Sequence, residues 1–172
     1  MKKLLTAVAF ITALIIAAFI SCCFYYIAIT SSVKFDESKL SGAAQSCAVF
    51  DGDGERVDFG SYSEYVEIKN IPENLKNSFI AIEDKRFYTH NGVDYRSMLR
   101  ATKNNFFSGK IKEGASTISQ QLVKNAFLSG EKTVNRKLCE IKLARQLEKR
   151  YSKNEILEMY LNILYFGNNI YG

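Results

Sequence analysis

The stretch IPENLKNSFIAIEDKRFYTHNGVD, residues 71–94, decides how this chain is read. Asn70 stands just ahead as a candidate N-cap, with Pro72 in the first turn and Glu73 at the third position. Leu75, Phe79 and Ile82 then recur at helical spacing and predict the inward stripe of a helix. That helix runs into EDKRFYTH, residues 83–90, which crowds acids, bases, aromatic rings and the chain's one histidine together. The end of a helix disfavours negative charge. Phe79, Ile80 and Phe87 would disfavour it further if they bury the site. Both effects increase a carboxylate's hold on a proton and suit it to act as an acid or base. Asp84 points elsewhere at helical geometry and is expected to pair with a cation or hold a loop. His90 reads either as a base or, more plainly, as a hydrogen-bonded structural residue.

Downstream, the pattern stays helical. Asp94 is the expected cap of YRSMLRATKNNFF, and SGKIKEGAS forms a glycine-bounded basic loop. Ser116 is expected to cap TISQQLVKNAF. A long helix is predicted from about Val134 to Arg150, with Leu138, Ile141, Ala144 and Leu147 inward. Ser152 and Glu155 make a capping-box pattern ahead of ILEMYLNILYF. Upstream, residues 47–69 carry the strand signals, and FDGDGERV looks like a hairpin turn using Gly52 and Gly54. The final FGNNIYG reads as a loop opening rather than a finished end, so the domain is expected to be incomplete at its C-terminus.

Residues 4–29 contain no charge. As a helix they would span about 39 Å, more than the hydrocarbon core of a bilayer. An uncleaved anchor is favoured over a cleaved signal segment, which has a shorter apolar core. Lys2 and Lys3 ahead of it argue for a cytoplasmic N-terminus and an outside domain. The expected organisation is an anchor over 1–29, a stalk over 30–46 and a single domain over 47–172.

The formal charge of +5 suits a phosphate-bearing partner or an anionic lipid surface. It does not call for nucleic acid, because no zinc finger or dense basic tract accompanies it. Cys22 and Cys23 sit in the apolar run as small hydrophobes, and the cysteines show no metal spacing. Within GASTISQQLVKN, Thr117, Gln121 and Lys124 share one side of a helix whose start suits an anion. Lys124, Lys132 and Arg136 together are suited to grip a pyrophosphate. Arg136 and Glu140 lie four residues apart on one helix face, which by default is a surface ion pair. Read from residues alone, glycosyl chemistry on a lipid-linked substrate and a helical binding domain both remain open.

Four motifs narrow this. EDKRFYTHNGVD matches E-D-x-x-F-x-x-H-x-G, and GASTISQQLVKN matches G-x-S-T-I-x-Q-Q-x-x-K-N. RKLCEIKLARQLE matches R-K-x-x-E, and KNEILEMYLNILYFGNNIYG matches a fourth. In this order they resemble the glycosyltransferase domain of bacterial penicillin-binding proteins and monofunctional peptidoglycan glycosyltransferases, family 51. The likeness covers residues 83–172 and reaches back to about Ile71.

The resemblance implies a mainly α, lysozyme-like domain with a small β entry, preceded by one transmembrane helix. It implies a single-pass protein of the plasma membrane with its catalytic domain on the extracytoplasmic side. The implied substrates are lipid II and the nascent glycan strand, and the product is a β-1,4 glycan with release of undecaprenyl pyrophosphate. Glu83 aligns with the general base and Glu140 with the second glutamate of the donor side. Lys124, Lys132 and Arg136 align with donor-site cations, Lys132 standing where many relatives carry arginine. Thr117, Gln121 and Asn125 match cleft positions, and Asp84, Phe87 and His90 match positions around the base. No organic cofactor is implied, and no metal ligand is assigned. A divalent cation, magnesium or manganese, is implied at the pyrophosphate near Glu140. Cell-wall synthesis or division proteins are the expected partners. Two other readings stand beside this one: a lysozyme-like hydrolase or lytic transglycosylase, and a non-catalytic lipid II-binding envelope protein. The segment with Phe106, Phe107, Lys103, Lys110 and Lys112 is expected to rest on the membrane surface.

Overall fold

A computed structural model describes the chain apart from residues 44–48, 54, 58–61, 64, 111–113, 129, 168–169 and 172. Gly54 and Lys112, both named above, lie outside the described residues, as do Cys47 and the two asparagines of FGNNIYG, Asn168 and Asn169.

Among the described residues, seven α-helices carry the fold. They are α1 (Lys2–Ser31), α2 (Glu37–Ala43), α3 (Glu73–Glu83), α4 (Tyr95–Ser108), α5 (Ile118–Phe127), α6 (Val134–Leu147) and α7 (Lys153–Ile163). Helix α5 is the centre. Its Ile118, Leu122 and Val123 are fully buried against Leu143, Ala144 and Leu147 of α6 and Ile156, Leu157 and Tyr160 of α7. Each such aliphatic side chain contributes about 1.5–3 kcal/mol by leaving water.

Helix starts follow local chemistry. Asp94 accepts from Ser97 N, as its position predicts. Ser152 and Glu155 form the reciprocal capping box on α7. For α5, however, the cap is Thr117 rather than Ser116, and Gln120 completes the box. Thr117 wins because glutamine at the third helical position can reach back to its N–H. Helix α3 begins at Glu73 after Pro72, while Asn70 belongs to a separate 3-10 turn, Ile68–Asn70. The proline ends that turn, because it restricts Ile71 to extended backbone. The inward stripe of α3 also differs. Ile80 is buried, Leu75 is half exposed and Ile82 is 80% exposed. Helix α6 stops at Leu147, short of Arg150, with Cys139, Glu140 and Leu143 buried beside Ala144 and Leu147.

The expected small β entry is corrected. Extended pairing among the described residues is confined to ladders of two or three residues: Val49–Phe50 with Arg56–Val57, and Tyr62–Ser63 and Tyr165–Gly167 with Ile170–Tyr171. Ordinary strands run about five or six residues, so these ladders form no β layer with a face to bury. Asp51 explains the first as a local turn, since its carboxylate accepts from the N–H groups of Asp53 and Glu55. The fold is mainly α-helical.

The segment read as a stalk is packed on the domain. Leu40 of α2 is buried. Phe35 stacks at 5.1 Å on Phe127, and Arg150 lies 4.5 Å over the Phe35 ring. Helix α1 is long and apolar enough to cross a membrane, and its apolar side chains are exposed along its length. Its last turns dock on α6. Tyr25 donates to Asn135 at 2.7 Å, and Lys142 donates to the carbonyls of Thr30 and Val33.

Candidate active site

Glu83 is the last residue of α3 and is exposed. Phe79, Ile80 and Phe87 do not bury it. Ile80 and Phe87 turn into the core, and Phe79 stands edge-on to Tyr160 at 6.5 Å. The Glu83 carboxylate instead faces a cleft of about 460 Å³, lined further by Lys85, Arg86, Arg96, Arg100 and Ser116. Gln121 of α5 donates to Glu83 Oε2 at 2.8 Å.

The turn after Glu83 is fastened beneath it. Asp84 is buried and accepts from Ile118 N, a free N–H at the start of α5, at 3.1 Å. His90 Nε2 lies 2.8 Å from the same carboxylate, which places the histidine as a structural partner of Asp84. Phe87 is fully buried under Lys153, whose ammonium sits 4.5 Å from the ring centroid. Gly92 lets the loop press on α6. Its φ is +89°, and a Cβ there would lie 2.7 Å from the Ala144 carbonyl oxygen. Thr117 Oγ1 donates to the Gly92 carbonyl at 2.7 Å, so the α5 cap is tied to the same loop. On the cleft wall Arg86 pairs with Asp94. Burial opposes ionisation of Asp94, but Arg86 and the Ser97 N–H hold its carboxyl well below the usual range.

The second glutamate sits in the opposite environment. Glu140 is buried, with Arg136 on one oxygen and Lys137 at 2.8 Å on the other. Lys137 also donates to Ser116 Oγ at 2.8 Å, and Ser116 lines the cleft of Glu83. Partial burial, then the neighbouring charges of Arg136 and Lys124, push the Lys137 ammonium down to about 8. One carboxylate is thus shared by two cations, with Lys124 near enough to be felt.

Thr117 is buried as a cap, while Gln121 reaches Glu83. Lys124 and Asn125 are exposed on α5. Lys132 is exposed in the turn before α6 and is not brought to Glu140, whose described cationic partners are Arg136 and Lys137. Lys137 lies three residues before Glu140 on the same helix face. The R-K-x-x-E pattern contains this lysine, but sequence reasoning took only its first and last residues. Ser116 and Tyr160 were also missed, and spacing alone offers no signal for Tyr160.

The donor set around Glu140 was also expected to meet a divalent cation. Among the described residues no three His, Cys, Asp or Glu side chains gather, and the Glu140 carboxylate already faces two cations.

A family model described as Transglycosylase matches residues 54–172. The chain is 47% identical over 139 residues to penicillin-binding protein 1F of Bacillus subtilis (strain 168), covering 80% of this chain and 19% of that protein. It is 46% identical over 132 residues to penicillin-binding protein 4 of the same organism, covering 74% and 21%. Penicillin-binding protein 1A of Neisseria gonorrhoeae is 46% identical over 128 residues, covering 72% and 16%. The chain therefore spans about a fifth or less of the length of these relatives. The match takes in both glutamates, the cleft that Glu83 lines and helices α3 to α7, and the chain belongs to the transglycosylase family.

Proposed function

We propose that the chain is a peptidoglycan glycosyltransferase that joins lipid-linked disaccharides into a β-1,4 glycan. The observation that carries this reading is the contrast between its two glutamates. Glu83 is open to a cleft and touched by an amide, whereas Glu140 is pinned between Arg136 and Lys137. A base must be reachable by the hydroxyl it activates. Cations must stand where negative charge gathers on a leaving group.

In the proposed reaction, Glu83 takes the proton from the 4-hydroxyl of the acceptor, lipid II. The freed oxygen pair attacks the anomeric carbon of the donor strand and inverts it. The bond from that carbon to the pyrophosphate breaks, and the electron pair leaves with the lipid pyrophosphate. Lys137, Arg136 and Lys124 meet that charge, and Glu140 fixes the first two. No step is routed through a metal. A hydrolase of the two-carboxylate type needs a second carboxyl to give up a proton. Arg136 and Lys137 favour the charged form of Glu140, which counts against that alternative.

Residues 1–29 are proposed as a single-pass anchor in the plasma membrane, 30–46 as the connection and 47–172 as the catalytic unit on the extracytoplasmic side. Helix α1 would be about 45 Å long, so its last turns clear the hydrocarbon and meet α6 near the surface. Phe106 and Phe107, 82% and 77% exposed at the end of α4, would dip into the same surface. That arrangement brings the lipid pyrophosphate to the cations without leaving the bilayer.

The test is polymer formation from labelled lipid II by the purified chain. Glu83→Gln is expected to lower the rate about 100-fold or more, the usual worth of a positioned base. Equal polymerisation by wild type and Glu83→Gln would overturn the assignment. So would release of sugar fragments from finished wall in place of polymer.

A further inference from the structure

We propose that Tyr160 is a positioning residue for the base, acting through the side-chain amide of Gln121. The inference rests on the function proposed above and adds a residue to it. Tyr160 lies on α7, is 2% exposed and has no access to the cleft. Its hydroxyl donates to Gln121 Oε1 at 3.2 Å, and Gln121 Nε2 donates to Glu83 Oε2 at 2.8 Å. Three helices, α7, α5 and α3, are thereby joined through one amide.

An amide has two ends of nearly equal size and opposite polarity, so only its partners decide which way it points. A buried phenol that donates needs an acceptor, and leaving it without one is costly. The hydroxyl therefore claims the Gln121 carbonyl and turns the NH2 group toward Glu83. Burial, and then the charge of Glu83, push the phenol up to about 12, so it remains a donor wherever the protein is folded and working. An amide turned the other way would set its carbonyl against the carboxylate. It would displace the base and discourage the charged form that accepts the proton. The other charged groups facing Glu83 come from its own turn and from α4: Asp84, Lys85, Arg86, Asp94, Arg96 and Arg100. The Gln121 amide itself is held between Tyr160 and Glu83.

Tyr160→Phe removes the hydroxyl and keeps the ring against Phe79. In the full chain with lipid II, it is expected to lower kcat about 3- to 10-fold, the worth of one buried hydrogen bond, with KM unchanged. Gln121→Ala lowers kcat as well, and the double variant is expected to lose no more than Gln121→Ala alone, because both changes cut one path. Independent of turnover, the Gln121 side-chain NH2 protons are expected to be distinct and slow to exchange in NMR of isotope-labelled wild type. In Tyr160→Phe they should average and exchange faster. Multiplying losses in the double variant, or an unchanged Gln121 amide signature in Tyr160→Phe, overturn the inference. Absence of polymerisation, or its survival in Glu83→Gln, counts against the proposed function instead, and the amide signature then still decides for or against the relay.

Discussion

Lys137 offers the sharpest test of the pyrophosphate site. It is partly buried, shares the Glu140 carboxylate with Arg136, and its ammonium is pushed down to about 8 by burial, Arg136 and Lys124. Lys137 therefore carries full charge below about pH 8 and loses it as the pH rises through that value. Its help to the departing pyrophosphate must fall over the same range. A charge-assisted hydrogen bond is worth about 1.5–3 kcal/mol, or about 10- to 150-fold in rate. Lys137→Met should lower kcat by that factor below pH 8 and flatten the fall above it. Lys137→Arg keeps the charge through the alkaline range, so its activity should persist above pH 9 even if reduced overall. Stability moves the opposite way. The unfolded chain holds the Lys137 proton up to its ordinary value of 10.5, above the folded one. Between about 8 and 10.5 the unfolded state thus binds more protons, and this group's contribution to stability rises with pH. The assay is initial-rate polymerisation from pH 6 to 10, with denaturant unfolding run in parallel. An alkaline fall of the same midpoint in wild type, Lys137→Met and Lys137→Arg would refute the reasoning.

Three further outcomes are expected. Gly92→Ala forces both a positive φ and a Cβ 2.7 Å from the Ala144 carbonyl oxygen, while Gly109, at φ +62°, has open space around it. By denaturant unfolding Gly92→Ala should cost about 2–4 kcal/mol, against about 1 kcal/mol for Gly109→Ala. Equal costs would remove the claim that the loop is pressed on α6. Glu140→Gln strips the carboxylate from Arg136 and Lys137, leaving two partly buried cations facing each other, and should lower both stability and kcat, the former by about 1–3 kcal/mol. A fully stable variant would show that the pair is not held by Glu140. Replacing Phe106 and Phe107 by serine should leave the fold unchanged, since both are exposed. It should weaken the use of lipid-embedded substrate more than of a short-chain soluble analogue, and equal effects on both substrates would disprove the surface contact.

Much of the site is a matter of helix spacing, and spacing is legible. Arg136 and Glu140 are four residues apart, so any helix there pairs them. Asp94 and Ser152 announce their helices because capping is a contact between near neighbours in the chain. The misjudgements fall where two elements compete or meet. Ser116 and Thr117 are both good caps, and Gln120 chooses between them. Ile82 looks inward by period, yet α3 lies in the fold with Ile80 inward and Ile82 at the cleft rim. Spacing left open whether the apolar neighbours of Glu83 shield it; they have the core to fill and leave the acid exposed.

By itself, the sequence determined which segments beyond residue 70 are helices, where an apolar run suited to a membrane lies, and which family's motifs the chain carries. All of these depend on residues a few positions apart or on the order of short patterns. Only the tertiary structure decided that Gln121 bonds Glu83, that Tyr160 stands behind that amide, and that Asp84 ties down the start of α5. Those contacts join helices 20 to 40 residues or more apart. Their geometry is set by how the faces around α5 pack, a property of volumes filling shared space that no local spacing encodes.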